Sequence, residues 1–116
     1  MGIRKVSTYE AKIYVGLRHQ YLDEVSQLSE IENACQKYVD SVGLCVTVTP
    51  TKFIYKGGNE SGAIVGLINY PRFPSEVCEV KKHALRIADI LRFKVCQYRV
   101  TVVASDETIM VGEVKE

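Results

Sequence analysis

The sequence predicts an α/β sandwich of the ferredoxin-like kind, β-α-β-β-α-β with one added C-terminal strand. Three observations carry this. Apolar and polar residues alternate with a period of two in several stretches. Two other stretches repeat apolar residues at helical spacing behind a cap. Their order gives two β-α-β halves joined by a hairpin, so both helices should lie on one face of an antiparallel sheet. Residues 1–8 read as a flexible lead and 9–116 as a single domain.

The first strand is expected over 9–17. Tyr9, Ala11, Ile13, Val15 and Leu17 fall on one face, with Glu10, Lys12 and Tyr14 on the other. A long polar loop, 18–28, follows. Ser29 with Glu32 forms a capping box for a helix whose stripe is Ile31, Ala34, Cys35, Tyr38, Val39 and Val42, stopped by Gly43. The stretch 44–55 is rich in Val, Thr and Phe and reads as strand, with Pro50 demanding an edge, a bulge or a break. A Gly-rich turn over 56–62 joins it to a strand over 63–70. Pro71 and Pro74 end that strand, and Ser75 caps a second helix with the stripe Val77, Val80, Ala84, Ile87, Ala88 and Leu91. Cys96, Tyr98, Val100 and Val102 then alternate, and a short last strand covers 108–112.

Composition narrows the function classes. The 116 residues are 47% hydrophobic and 25% charged, as in an ordinary globular domain and unlike a disordered or fibrous chain. Fifteen basic against fourteen acidic residues leave +1, which gives no footprint for duplex nucleic acid or an anionic membrane. The four cysteines contain no C-x-x-C pair, so neither zinc nor a disulfide framework is expected. No leader or membrane span is expected, and the reading is a cytoplasmic protein without cofactor.

Catalytic motifs are thin: there is no nucleophile-elbow pattern and no H-E-x-x-H. Cys45 and His83 could act together only if the fold joins them. Asn69-Tyr70-Pro71-Arg72-Phe73-Pro74 leaves a strand and reaches a helix N-terminus, offering an Arg for phosphate and rings for a base. Its alternative role is a plain connection in which Phe73 closes the core. Arg18 ends the first strand, with Tyr21 in the loop beyond. Arg99 lies on the polar sheet face, directed at a ligand across a subunit interface or paired with Glu10. The candidate binding set is Arg18, Asn69, Tyr70, Arg72, Phe73 and Arg99.

Tyr14-Val15-Gly16-Leu17-Arg18, the stretch from Gly43 to Thr51, and that from Gly66 to Pro74 resemble the first Thoeris anti-defence family of phage proteins. The resemblance implies a homo-oligomeric, non-catalytic sponge that encloses a cyclic ADP-ribose isomer and, in some members, cyclic oligonucleotides. A fainter likeness is to PII-like nucleotide-sensing regulators. A phage assembly protein without any small-molecule ligand is the alternative of another class.

Overall fold

The computed structural model describes residues 1–19 and 24–113. Among these the order is β1 (Glu10–Gly16), α1 (Leu28–Val42), β2 (Thr47–Tyr55), β3 (Gly58–Ile68), α2 (Val77–Lys94), β4 (Arg99–Ala104) and β5 (Thr108–Gly112). The strands lie in the order β2-β3-β1-β4-β5, every neighbouring pair antiparallel. Two helices cover one face of this open sheet, the ferredoxin-like arrangement with β5 added outside β4.

Period-two alternation decides which face is dry. Ala11, Ile13 and Val15 of β1, Ala63, Val65 and Leu67 of β3, and Val100, Val102 and Ala104 of β4 point at the helices and are buried. Helix α2 buries Val80, Ala84, Ile87, Ala88 and Leu91 in this core, whereas α1 buries Ile31 and Cys35 and packs Leu28, Ala34 and Tyr38 against it partly covered. Burying each large aliphatic side chain contributes roughly 1.5–3 kcal/mol, so α2 is the helix that holds the sheet. Pro50 sits in β2, an edge strand, where its missing N–H need not leave a gap in a two-sided ladder.

Several boundaries differ from expectation for local reasons. Helix α1 begins two residues early, because Glu30 reaches back to accept the Gln27 amide proton at 2.7 Å in place of a Ser29–Glu32 pair. Helix α2 is capped one residue later than Ser75, at Glu76, whose backbone is extended and makes no side-chain cap bond, while the Ser75 amide is donated to Asn69 Oδ1 at 2.9 Å. The Gly-rich stretch is mostly strand: only Lys56 and Gly57 turn, Gly57 at φ 87°, and pairing resumes at Gly58. Strand β4 starts at Arg99 because α2 is closed by a left-handed Cys96 at φ 53°. There the Gln97 amide returns to Arg92 O at 2.9 Å.

The β2–β3 hairpin projects beyond β1, which pairs β3 only from Gly62 to Ile68. The described chain has extents of 52 × 31 × 24 Å and a radius of gyration of 15.0 Å, against about 13 Å for a compact chain of this length. The face opposite the helices is left open. It carries Lys12 and Tyr14 of β1, Ile64 and Ile68 of β3, Arg99, Thr101 and Val103 of β4, and Met110 of β5. No helix among the described residues is long and apolar enough to cross a membrane.

Candidate functional site

At the end of β1 neighbouring positions on the open face lack side chains. Gly16 lies opposite Gly62 in the β1–β3 ladder, two strand glycines side by side. Glycine inside a strand marks a close approach, and here the approach is identifiable. A Cβ on Gly62 would run into the Phe53 ring and stand 2.8 Å from Val15 O. A Cβ on Gly16 would lie 3.2 Å from Glu60 Oε1 and 3.5 Å from Gln97 Oε1. The result is a trough in the sheet surface into which side chains reach: the Phe53 ring lies against Gly62, Glu60 and Gln97 reach over Gly16, and Phe53 and Glu60 are cross-strand partners in β2 and β3.

The electrostatics of the trough are asymmetric. Gln97 is 6% exposed and donates through Nε2 to Arg18 O, which ties the α2–β4 connection to the end of β1. Glu60 is half-buried and has no hydrogen-bond or ion-pair partner among the described residues. Arg99, two residues beyond the Tyr14–Thr101 pair on the same face, also has none among them. A carboxylate, a guanidinium, an aromatic ring and the Tyr14 ring thus share one end of the open face with their polar groups uncommitted. A zwitterionic or cationic small molecule with a flat ring is what such a set can hold.

The six sequence-derived residues fall into two groups at opposite ends of β1. Arg18 and Arg99 belong to the trough end. Asn69, Tyr70, Arg72 and Phe73 belong to the other, where the Asn69 amide pairs with Tyr9 O. Within one chain the two groups do not meet. Arg99 cannot pair with Glu10, which opposes Ile68 at the far end of the strand. The Asn69 carboxamide is used internally, donating to Ser7 O at 3.0 Å and accepting from the Ser75 amide, so it clips the N-terminal lead to the approach of α2. Tyr70 and Phe73 stack at 5.1 Å with Phe73 47% exposed, and Arg72 is exposed. Tyr21 lies outside the described residues.

The fold does bring Cys45 and His83 to one cavity, but its volume is about 20 Å³, room for a water and not for a base. Cys45 Sγ donates to Tyr70 Oη at 3.6 Å, a contact that, with burial, raises the Tyr70 pKa. His83 Nδ1 is hydrogen-bonded to Tyr38 Oη at 2.8 Å. Burial pushes the Cys35 thiol up to about 11, which makes it an inert core residue. Across the sheet, Lys81 donates to Asp106 Oδ2 and Tyr9 to Asp106 Oδ1, both at 2.7 Å. These bonds lower the Asp106 pKa and raise that of Lys81, while burial, then Asp106, raises that of Tyr9. That cluster joins β1, α2 and the β4–β5 turn as a structural clamp. Among the described residues no three His, Cys, Asp or Glu side chains converge as a metal site.

No protein-family model matches the chain, and none of the curated proteins matches it in sequence. Solved structures do. A phage SAM lyase in complex with S-methyl-5'-thioadenosine superposes with a TM-score of 0.78 at 13% identity, covering 97% of this chain and 95% of that one. A phage SAM lyase in the apo state gives 0.73 at 13% identity, covering 93% and 91%. These matches overturn the expectation of a phage sponge that sequesters a cyclic nucleotide, and the expectation that the chain is not an enzyme. Both matched structures are phage SAM lyases. The error has a physical source: a missing nucleophile or metal motif was read as missing catalysis. The residues that reasoning passed over are Phe53, Glu60 and Gln97, and the signal for them was Gly16 and Gly62 inside strands.

Proposed function

We propose that the chain is a lyase acting on S-adenosylmethionine (SAM) and leaving S-methyl-5'-thioadenosine, with its site in the trough at Gly16 and Gly62. The observation that carries this is the nearly end-to-end superposition on a phage SAM lyase with that ligand. The partner is therefore a small molecule, a sulfonium nucleoside and not a cyclic nucleotide.

The chemistry explains why no catalytic motif is needed. SAM and methylthioadenosine differ by the aminobutyrate arm, so the bond that breaks joins sulfur to Cγ. A lyase uses no water, and the electrons come from within the substrate. The substrate carboxylate forms an O–Cγ bond, the S–Cγ pair returns to sulfur, and homoserine lactone leaves with its ammonium intact. No proton moves, and net charge is conserved at +1. Nucleophile and leaving group both belong to the substrate. The protein has to fold the arm so that carboxylate meets Cγ and to remove water, because two opposite charges vanish in the transition state and water stabilises them only before it.

The trough has groups for this work. Phe53 and Tyr14 offer faces to the adenine and the sulfonium. Glu60 takes the α-ammonium, a charge kept throughout the reaction. Arg99 aims the carboxylate without taking a proton. One side of the trough is open to water, and exposed Ile68, Val103 and Met110 extend an apolar surface over the same face. A homo-oligomer in which a second copy covers this face dries the site, and the reading includes it. The test is SAM turnover in the parent and in Glu60→Gln. Losing a charge-assisted contact of about 1.5–3 kcal/mol lowers kcat/KM roughly ten- to a hundredfold with the melting temperature unchanged. Equal turnover in the variant removes Glu60 from the site, and no turnover by the parent removes the activity.

A further inference from the structure

The helices carry a second concavity, on the opposite layer from the trough. A groove of about 530 Å³ runs between α1 and α2, lined by Ala34, Lys37, Tyr38 and Ser41 on one side and by Ile90 and Lys94 on the other. It exists because α1 is a weakly buried helix. Ile31 and Cys35 are the buried residues of α1, while Ala34 and Tyr38, packed against the core at its margin, line the gap beside α2 half-covered. Ile90 is 42% exposed on the facing wall of the gap, although it sits one residue from buried Leu91. The floor is apolar. Its depth is set in part by the Tyr38–His83 hydrogen bond, which pins α1 to α2.

The charges at the rim are of one sign. Neither Lys37 nor Lys94 has an ion-pair or hydrogen-bond partner among the described residues. The carboxylates near them are engaged elsewhere: Glu30 accepts the Gln27 amide, Asp40 accepts from Gln36, and Asp89 accepts from Arg92. Two unpaired ammonium groups over an apolar floor complement an anionic head on an apolar body. The volume lies within the range of small-molecule sites, roughly 300–1,000 Å³. We propose that the α1–α2 groove is a binding site for a small anionic amphiphile, a carboxylate or sulfonate with a chain or flat ring system. Lys37 and Lys94 hold the head, while Ala34, Tyr38 and Ile90 receive the body. Nothing in this site depends on the SAM-lyase reading, since the trough is on the other face of the sheet.

The probes are anilinonaphthalene sulfonate, read by fluorescence, and dodecanoate, read by its displacement of the dye from the full chain. Saturable binding at one site per chain is expected, weakening with salt. In Lys37→Ala/Lys94→Ala it should fall about ten- to thirtyfold, with the circular dichroism spectrum and melting temperature of the parent. Dodecyl trimethylammonium, with the same body and the opposite head, should not displace the dye. Met110→Asp, on the open sheet face, should leave the affinity as it was. Binding that is unchanged in the double lysine variant, lost in Met110→Asp, or equal for the cationic amphiphile overturns the proposal, and so does the absence of saturation. Ile90→Asp gives a second check that leaves both lysines in place, and dye affinity unaffected by it also overturns the proposal.

Discussion

Replacing Gly62 with alanine tests whether the trough is as tightly built as its contacts imply. In an ordinary strand this substitution is favourable by roughly 0.5–1 kcal/mol, because glycine loses more chain entropy on folding than alanine does. Here the new methyl meets two obstacles. The Phe53 ring is half-buried and can swing aside, at the cost of its packing over the strand. The Val15 carbonyl, 2.8 Å from the new Cβ, cannot move freely, because β1 is held between β3 and β4. Overpacking against a fixed neighbour costs about 1–3 kcal/mol, so the sign reverses and the variant is destabilised. Net of the entropy gain the loss is about 0.5–2.5 kcal/mol, and at roughly 4 °C per kcal/mol for a domain of this size the melting temperature falls by about 2–10 °C. Combining Gly62→Ala with Phe53→Ala separates the obstacles. The part of the loss that persists without the ring belongs to the carbonyl. Denaturant titration and thermal melts on the two singles and the double complete the cycle. A Gly62→Ala protein within about 0.5 kcal/mol of the parent, the size of an ordinary surface change, refutes the close-packed trough.

Asn69→Ala removes the acceptor of the Ser75 amide and the donor to Ser7 O in a side chain only 8% exposed. Two stranded backbone groups make this about a 1–3 kcal/mol loss in a urea titration. Gly43→Ala places a side chain at φ 78°, in open space but in left-handed backbone. The expected cost is about 1 kcal/mol, read as a lower melting temperature with an unchanged m-value. The Asp106 cluster predicts pH dependence at both ends. Because folding lowers the Asp106 pKa, its contribution is present above the usual carboxylate value of 3.8 and is lost as pH falls through the lowered one. Folding raises the Lys81 and Tyr9 values, so theirs is complete below about pH 10 and declines above it. Denaturation midpoints for Asp106→Asn should follow pH less steeply than the parent at both extremes, and parallel curves would remove the clamp from the account.

How much of this was legible in the chain depended on the range of the interactions. Strands and helices followed from periodicity, which is local, and the ferredoxin-like order followed from their succession. Helix caps slipped by one or two residues because the group that closes an opening turn, Glu30 on the Gln27 amide in α1, cannot be picked from several candidates without the fold. The stretch Lys56 to Gly62 was the costliest misreading. Its glycines look like turn residues, yet only Gly57 turns, while Gly62 makes room for Phe53 and Val15 O from other strands. Glu60 carried no local mark, because its significance is the lack of a partner in three dimensions. The segment from Asn69 to Pro74 had the residues for phosphate and base recognition, but its Asn turned inward. Motif reasoning also fails in principle for a reaction whose reacting groups all belong to the substrate.

The most direct measurement is the fate of SAM itself. Purified protein is mixed with SAM labelled at the methionine carbons, in water enriched in heavy oxygen, and early samples are analysed by mass spectrometry and NMR. The account predicts methylthioadenosine and homoserine lactone in equal amounts, the lactone free of solvent oxygen and forming at a rate that Glu60→Gln lowers ten- to a hundredfold or so. SAM that remains intact, or homoserine that carries solvent oxygen from the first turnover, would contradict it.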